Sequence, residues 1–188
     1  MKSPNLFIVR PLNGRRYDNI KELGGLDIIT SVSQEDHTVS NRYAEVVETP
    51  IGYNGEITIG DLLIVHHNVF KFYYDMKGRQ KSGASYFKDD LFFVDQDQFF
   101  MYKHNDLWKA HSKYCFIKPI KSKESIIKKN CKEEPLVGTI EYINDELLSL
   151  GLNVGDEIAF EPDSEYPFTI EDQKLYRMST NDITLKWN

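Results

Sequence analysis

Cysteine is nearly missing from this chain. Its 188 residues carry two, Cys115 and Cys131, and neither sits in a Cys-x-x-Cys pair. That excludes the paired-cysteine zinc and redox motifs. Cys115 lies in the apolar run Tyr114 to Ile117 and reads as a buried thiol. Long hydrophobic runs are missing too, and none approaches the ~20 residues of a membrane helix. Met1-Lys2-Ser3-Pro4 does not open an apolar stretch of the signal-peptide type. The expectation is a soluble, cytoplasmic protein with reduced thiols and no membrane partner. Positive charge is in deficit: 23 Lys and Arg against 29 Asp and Glu, a formal net charge of -6. Sequence-independent nucleic-acid binding needs a basic surface, so the balance argues against it. One locally basic segment remains, Lys118 to Lys132, which reads as a solvated loop.

What is present is material for a core. Forty per cent of residues are hydrophobic and 13% aromatic, which sets the chain apart from disordered sequences. The length suits one large domain or two small ones. Short runs rich in β-branched and aromatic residues recur between turn signals: Leu6 to Leu12, Tyr43 to Thr49, Leu62 to Val65, Leu91 to Val94, Gln98 to Tyr102, Tyr114 to Ile120, Leu136 to Tyr142 and Ile183 to Trp187. That spacing predicts an all-β fold of the barrel or sandwich kind. Asn54-Gly55 reads as a hairpin turn, Asn144 to Gly151 as a helical turn or a hairpin tip, and Lys103 to Lys109 as a polar connection between two domains, 1–103 and 104–188. Val69 to Ser85, aromatic and then basic with glycines, reads as an insertion leaving the sheet.

One stretch organises the rest. Glu56-Ile57-Thr58-Ile59-Gly60-Asp61 leads into the apolar run Leu62-Leu63-Ile64-Val65. Glycine suits a sharp turn and aspartate caps it. The pattern returns as Asn153-Val154-Gly155-Asp156-Glu157-Ile158-Ala159-Phe160. Three further anchors fall in the same order: Arg10-Pro11-Leu12 on Lys118-Pro119-Ile120, Ala44-Glu45-Val46 on Gly138-Thr139-Ile140, and Leu91 to Val94 on Leu175 to Met178. Continuing without a gap, Phe99 meets Ile183 and Met101 meets Leu185. Agreement of four anchors in order predicts an internal duplication whose first copy carries two longer loops.

On these residues the chain resembles the GroES-like co-chaperonin (chaperonin-10) family. Phe7-Ile8-Val9-Arg10-Pro11-Leu12 is similar to the family's first strand and Ile57 to Ile64 to its central unit. Val137 to Ile140, Asn153 to Phe160 and Leu175 to Ile183 are similar in the second half. The resemblance implies two tandem GroES-like β-barrels, a ring-forming homo-oligomer and a lid for a GroEL-like chaperonin ring. The lysine- and asparagine-rich composition suits a low-GC virus, a phage for example, or a bacterium. In that family a long loop after the first strand docks through a short apolar triplet, here Leu26, Ile28 and Ile29. Ordering such a loop on binding costs entropy, and multivalency restores the avidity.

The chain departs from the pattern in three places. Asp27 interrupts the triplet, so Asp27 to Val32 reads equally as a fixed strand. The second copy has lost most of the loop, leaving Ile126-Ile127 as its apolar pair. The 69–85 insertion has no counterpart. These departures keep a second reading open: a structural or assembly protein, of viral origin for example, that kept the fold without the chaperonin.

Catalytic signals are weak. His66-His67 ends a strand, where neighbours point to opposite faces, so a shared metal is not expected. His37 beside Glu35-Asp36 reads as solvated loop, and Gly78-Arg79-Gln80-Lys81-Ser82-Gly83 lacks the phosphate-loop spacing. Phe70, Phe72, Tyr73 and Tyr74 with Lys71, Lys77 and Arg79 have the composition of a single-strand stacking platform, and read first as packing. The expectation is no enzyme activity, no cofactor, no metal and no nucleic acid.

Overall fold

The computed structural model describes residues 1–17, 20–23, 25–29, 40–122 and 133–187, with side chains of 20–23 and 26–29 left aside. It is all-β, with one five-residue α-helix and short 3-10 turns among the described residues. No described helix is long and apolar enough to cross a membrane. The chain divides into two compact units, Met1–Leu107 and Trp108–Asn188.

The first unit runs β1 (Phe7–Pro11), β2 (Ile20–Leu23), β3 (Leu26–Ile29), β4 (Tyr43–Glu48), β5 (Leu62–Val65), β6 (Phe72–Tyr74), β7 (Gln80–Ser82), β8 (Tyr86–Lys88), β9 (Leu91–Val94) and β10 (Phe99–His104). A further strand, β11 (Leu107–Ala110), crosses the division between the units. The main sheet has the order β11-β10-β5-β4-β1-β9-β8, while β2-β3 and β6-β7 form separate two-stranded hairpins. The second unit contains β12 (Tyr114–Lys121), β13 (Glu133–Tyr142), α1 (Asp145–Ser149), β14 (Glu157–Phe160), β15 (Tyr166–Ile170), β16 (Gln173–Ser179) and β17 (Ile183–Lys186). Its sheet has the order β15-β16-β12-β13-β14-β17.

Both orders have two ends, so the expected barrels do not close by hydrogen bonding. The sheets curl instead. Strands β1 and β10 are three steps apart, about 14 Å on a flat sheet, yet the rings of Phe7 and Phe99 meet at 5.6 Å. The enclosed core holds Phe7, Val9, Val46, Leu63, Val65, Phe70, Phe92 and Phe99, all essentially inaccessible. In the second unit Cys115, Ile117, Ile140, Leu147, Ile158, Phe160 and Met178 do the same, with Ile183 of β17 packed against them.

Without β11, the two sheets share one strand order, and their registers correspond. Val9 stands opposite Val46 and Phe92; Ile117 stands opposite Ile140 and Tyr176. Pro11 pairs with Ala44, and Pro119 with Gly138. Val65 pairs with Phe99, and Phe160 with Ile183. The Gly-Asp units take one geometry in both places. Gly60 has φ +94° and Gly155 φ +91°, the left-handed region that favours glycine. The Asp61 carboxylate accepts from the Thr58 amide at 2.7 Å, and Asp156 accepts from Asn153 at 2.7 Å. The Val46 amide donates to the Asp61 carbonyl at 2.8 Å and the Gly60 amide returns to the Val46 carbonyl at 2.8 Å. Ile140, Asp156 and Gly155 repeat the exchange at 2.9 and 2.8 Å. The group behind the carboxylate differs: His104 Nδ1 lies 2.8 Å from Asp61, Lys186 Nζ 2.6 Å from Asp156.

Several local expectations need correction. The turn near Asn54-Gly55 sits at Ile51-Gly52, where Gly52 has φ +76° and the Tyr53 amide donates to the Pro50 carbonyl. Tyr53 folds its ring onto Phe7 at 5.0 Å, and that apolar contact sets the turn earlier. The polar connection Lys103 to Lys109 is mostly strand, broken by Asn105-Asp106 with φ of +51° and +62°, the left-handed pair of a tight turn. Asn144 to Gly151 takes the first of its two expected forms, a helical turn: it contains α1, whose amide at Leu147 is capped by the Asn144 side chain at 2.8 Å.

Two outcomes follow. Gly138→Ala would drive a Cβ to 2.4 Å from Ile117 Cγ2 and 2.9 Å from the Lys118 carbonyl. Although alanine occupies the corresponding place at Ala44, urea denaturation of Gly138→Ala should show about 1–3 kcal/mol lost from the second unit. Burial, and secondarily the charge of Asp182, pushes the Cys115 thiol from 9.0 up to about 12. In a Cys131→Ser background, native protein should resist iodoacetamide at pH 8.5 and react fully once unfolded. Because the folded thiol keeps its proton, this residue's contribution to stability is complete below about pH 9 and is lost as pH rises toward 12.

Candidate partner-docking loop

The segment between β1 and β4 leaves the first sheet and returns to it, and its ends are tied together. The tie is Asn41, 3% exposed. Its Nδ2 donates to the carbonyls of Leu12 at 3.1 Å and Arg15 at 2.6 Å, while its Oδ1 accepts from the Tyr43 amide at 2.9 Å. The Asn41 amide donates to the Arg16 carbonyl at 3.1 Å, and Tyr17 and Ser40 form an isolated antiparallel bridge. A buried amide side chain is retained only where its polar atoms find partners, and here three of its partners are backbone groups on both ends of the loop.

Beyond the clasp the chain forms the β2–β3 hairpin. Ile20 pairs with Ile29, Lys21 with Ile28, Glu22 with Asp27 and Leu23 with Leu26. Gly25 supplies the turn with φ +82°. Leu26, Ile28 and Ile29, expected to dock, therefore belong to one short strand, and Asp27 continues that strand. Gly24, the stretch 30–39 with His37, Glu35 and Asp36, and 123–132 with Ile126, Ile127 and Cys131 lie outside the described residues.

The 69–85 insertion reaches this loop. Its first residues do not leave the sheet: Val69 and Phe70 are core, with Phe70 edge-on to Phe92 at 4.9 Å. The excursion begins at Lys71 and forms the β6–β7 hairpin, with Tyr73, Tyr74 and Met76 exposed. Asp75 shapes its tip by accepting from the amides of Lys77 at 2.9 Å and Arg79 at 3.0 Å, and from Arg79 Nε at 3.0 Å. The Arg79 amide, chiefly, holds the Asp75 carboxyl below its ordinary range. The glycine-rich stretch 78–83 thus ends a turn shaped by Asp75 and continues as β7.

The ring of Phe72 stands edge-on to Tyr17 at 5.1 Å. Arg16 Nη1 donates to Ser82 Oγ at 3.0 Å and Nη2 to Asp90 at 3.1 Å, and its guanidinium lies over the rings of Tyr86 and Phe92 at 5.1 and 4.9 Å. Burial pushes the Tyr17 hydroxyl above its ordinary range, opposed by a hydrogen bond from the Phe72 backbone and by the Arg16 charge. Asn41, Arg16 and Asp75 were not among the residues singled out from sequence. The one signal they carried was position, at the foot of a polar run or in an Asp-x-x-Gly turn.

Outside the loop, Arg10 and Glu45 form a two-pronged pair across β1 and β4, at 3.0 and 2.7 Å. The Arg10 hydrogen bonds hold Glu45 below its ordinary range. His66 and His67 stack at 4.1 Å rather than facing apart, because β5 ends at Val65. Among the described residues no three His, Cys, Asp or Glu side chains gather as metal ligands. No family model matches this sequence, and no curated protein matches it.

Asn41→Ala would take the side-chain donor from the Leu12 and Arg15 carbonyls and the acceptor from the Tyr43 amide. We expect a loss of about 1–3 kcal/mol in urea denaturation and faster protease cleavage between residues 17 and 40, measured by mass spectrometry on the folded protein.

Proposed function

We propose that the chain is a co-chaperonin lid of the GroES-like kind, built from two tandem units by internal duplication. It would bind a GroEL-like chaperonin ring through the loop carrying Leu26, Ile28 and Ile29, and assist protein folding without a catalytic centre or cofactor of its own. It would act in the cytoplasm as a homo-oligomer. The observation that carries this reading is the correspondence between the units: one strand order, one register and one Gly-Asp turn geometry. That correspondence falls on the residues that carry the family resemblance. A long loop emerging after the first strand, at the family's docking position, supports the partner.

One observation favours a second reading, a structural or assembly protein on the same fold. Leu26–Ile29 is a paired strand, which suits a fixed element better than a segment that orders only on docking.

The test mixes the purified full-length protein with a chaperonin ring and nucleotide, beside a variant with Leu26, Ile28 and Ile29 changed to Ser. A lid gives nucleotide-dependent binding that the variant weakens at least about tenfold, as removal of central apolar anchors does, together with a changed ATPase rate of the ring. Absence of binding to the chaperonin of its own host would leave the second reading.

A further inference from the structure

We infer that the β6–β7 hairpin is a brace for the β1–β4 loop: it fixes the direction in which that loop leaves the first unit. The importance of this for docking rests on the function proposed above; the brace itself does not.

Both ends of the hairpin are seated in the unit. Val69 and Phe70 are buried on the entering side. On the leaving side Ser85 is 9% exposed and its carbonyl accepts from the Phe93 amide of β9 at 2.7 Å. The two arms are joined at the base by the Gly83 amide donating to the Lys71 carbonyl at 2.9 Å. A side chain there would be crowded, since a Cβ on Gly83 would stand 3.0 Å from that carbonyl. Asp75 closes the tip. An element seated at its base and closed at its tip keeps its shape under a load.

The load is the loop's departing residues. Tyr17 presses its ring on Phe72, and its hydroxyl takes a hydrogen bond from the Phe72 backbone. Arg16 ties to Ser82 in β7 and to Asp90 beyond β8 while lying on Phe92 of the core. From the other side Asn41 holds Leu12, Arg15 and Tyr43. The chain at 15–17 is thus gripped between a clasp made by the returning end and a brace made by the insertion. A loop held so at its foot has fewer exit directions to lose when its apolar strand meets a partner, and preorganisation of that kind raises affinity without a new contact.

The test needs no partner. Amide hydrogen exchange would be followed at Asn41, whose amide donates to the Arg16 carbonyl, with Val46 and Gly60, in the Gly-Asp turn, reporting the fold. In Phe72→Ala the Asn41 amide should exchange at least about tenfold faster while Val46 and Gly60 keep their rates. Ser82→Ala, which removes one hydrogen bond to Arg16, should accelerate the Asn41 amide about two- to tenfold. Met76→Ser at the exposed tip should change none of them. An unchanged rate at Asn41 in Phe72→Ala would overturn the brace. So would equal acceleration at Val46 and Gly60, which would make Phe72 a general support of the unit. Because exchange is read on the free protein, a chain that binds no chaperonin can still pass this test, and one that binds can fail it.

Discussion

Each sheet depends on a pair of backbone hydrogen bonds exchanged between a strand and a glycine-aspartate turn. Val46 gives its amide to Asp61 and receives that of Gly60; Ile140 does the same with Asp156 and Gly155. The exchange needs the chain to reverse through a positive φ, which only glycine supplies cheaply, and needs the turn to hold its shape, which the aspartate carboxylate ensures by taking the amide three residues back. Once this is in place the next strand starts at a fixed residue, and a one-residue slip would turn Leu63 and Val65, or Ile158 and Phe160, out of the core. A turn of four residues thus sets the register of β5 on β4 and of β14 on β13.

The units differ in what is hung on that frame. The second spends its buried polar groups on itself: Asn144 caps α1 and bonds Thr180, whose hydroxyl reaches the Lys113 carbonyl. The first turns them outward to the foot of a loop, through Asn41 and Arg16. A sheet with this order keeps two free ends, and the insertion after β5 uses the space beside one of them, next to β8 and β9. Compared with the second unit, the first is the same sheet carrying a loop and a hairpin that touch each other.

Much of the frame was legible because its signals are local. Alternating or continuous apolar runs bounded by Gly, Pro and Asp mark β1, β4, β5, β9 and β12, and Gly60-Asp61 and Gly155-Asp156 mark the turns between them. The placement of anchors such as Arg10 on Lys118 and Phe99 on Ile183 agrees with the ladder positions they occupy. Features that failed to show depend on residues far apart in the chain. Asn41 carries no local signal that sets it apart from its polar neighbours, since its partners Leu12 and Arg15 come from the loop's other end. Val69 and Phe70 looked like the start of an excursion, because composition cannot say at which residue a chain leaves its core. The closed barrel was an inference from strand count and resemblance, whereas closure requires the end strands to pair, a property of sheet order rather than of any one segment.

The ladder of the first unit also dictates a timetable. Strand β1 is made first, yet Phe7 and Val9 find their second neighbours at Val94 and Phe92, beyond both the loop and the hairpin that braces it. At about 5–20 residues per second of synthesis, β1 waits several seconds with one side covered by β4 and the other bare. A bare strand edge beside apolar side chains is a template for wrong pairing. In the second unit Cys115 and Ile117 reach Met178 and Tyr176 after a shorter wait. The hairpin that steadies the finished loop therefore lengthens the interval in which the nascent chain is most exposed to the wrong neighbour.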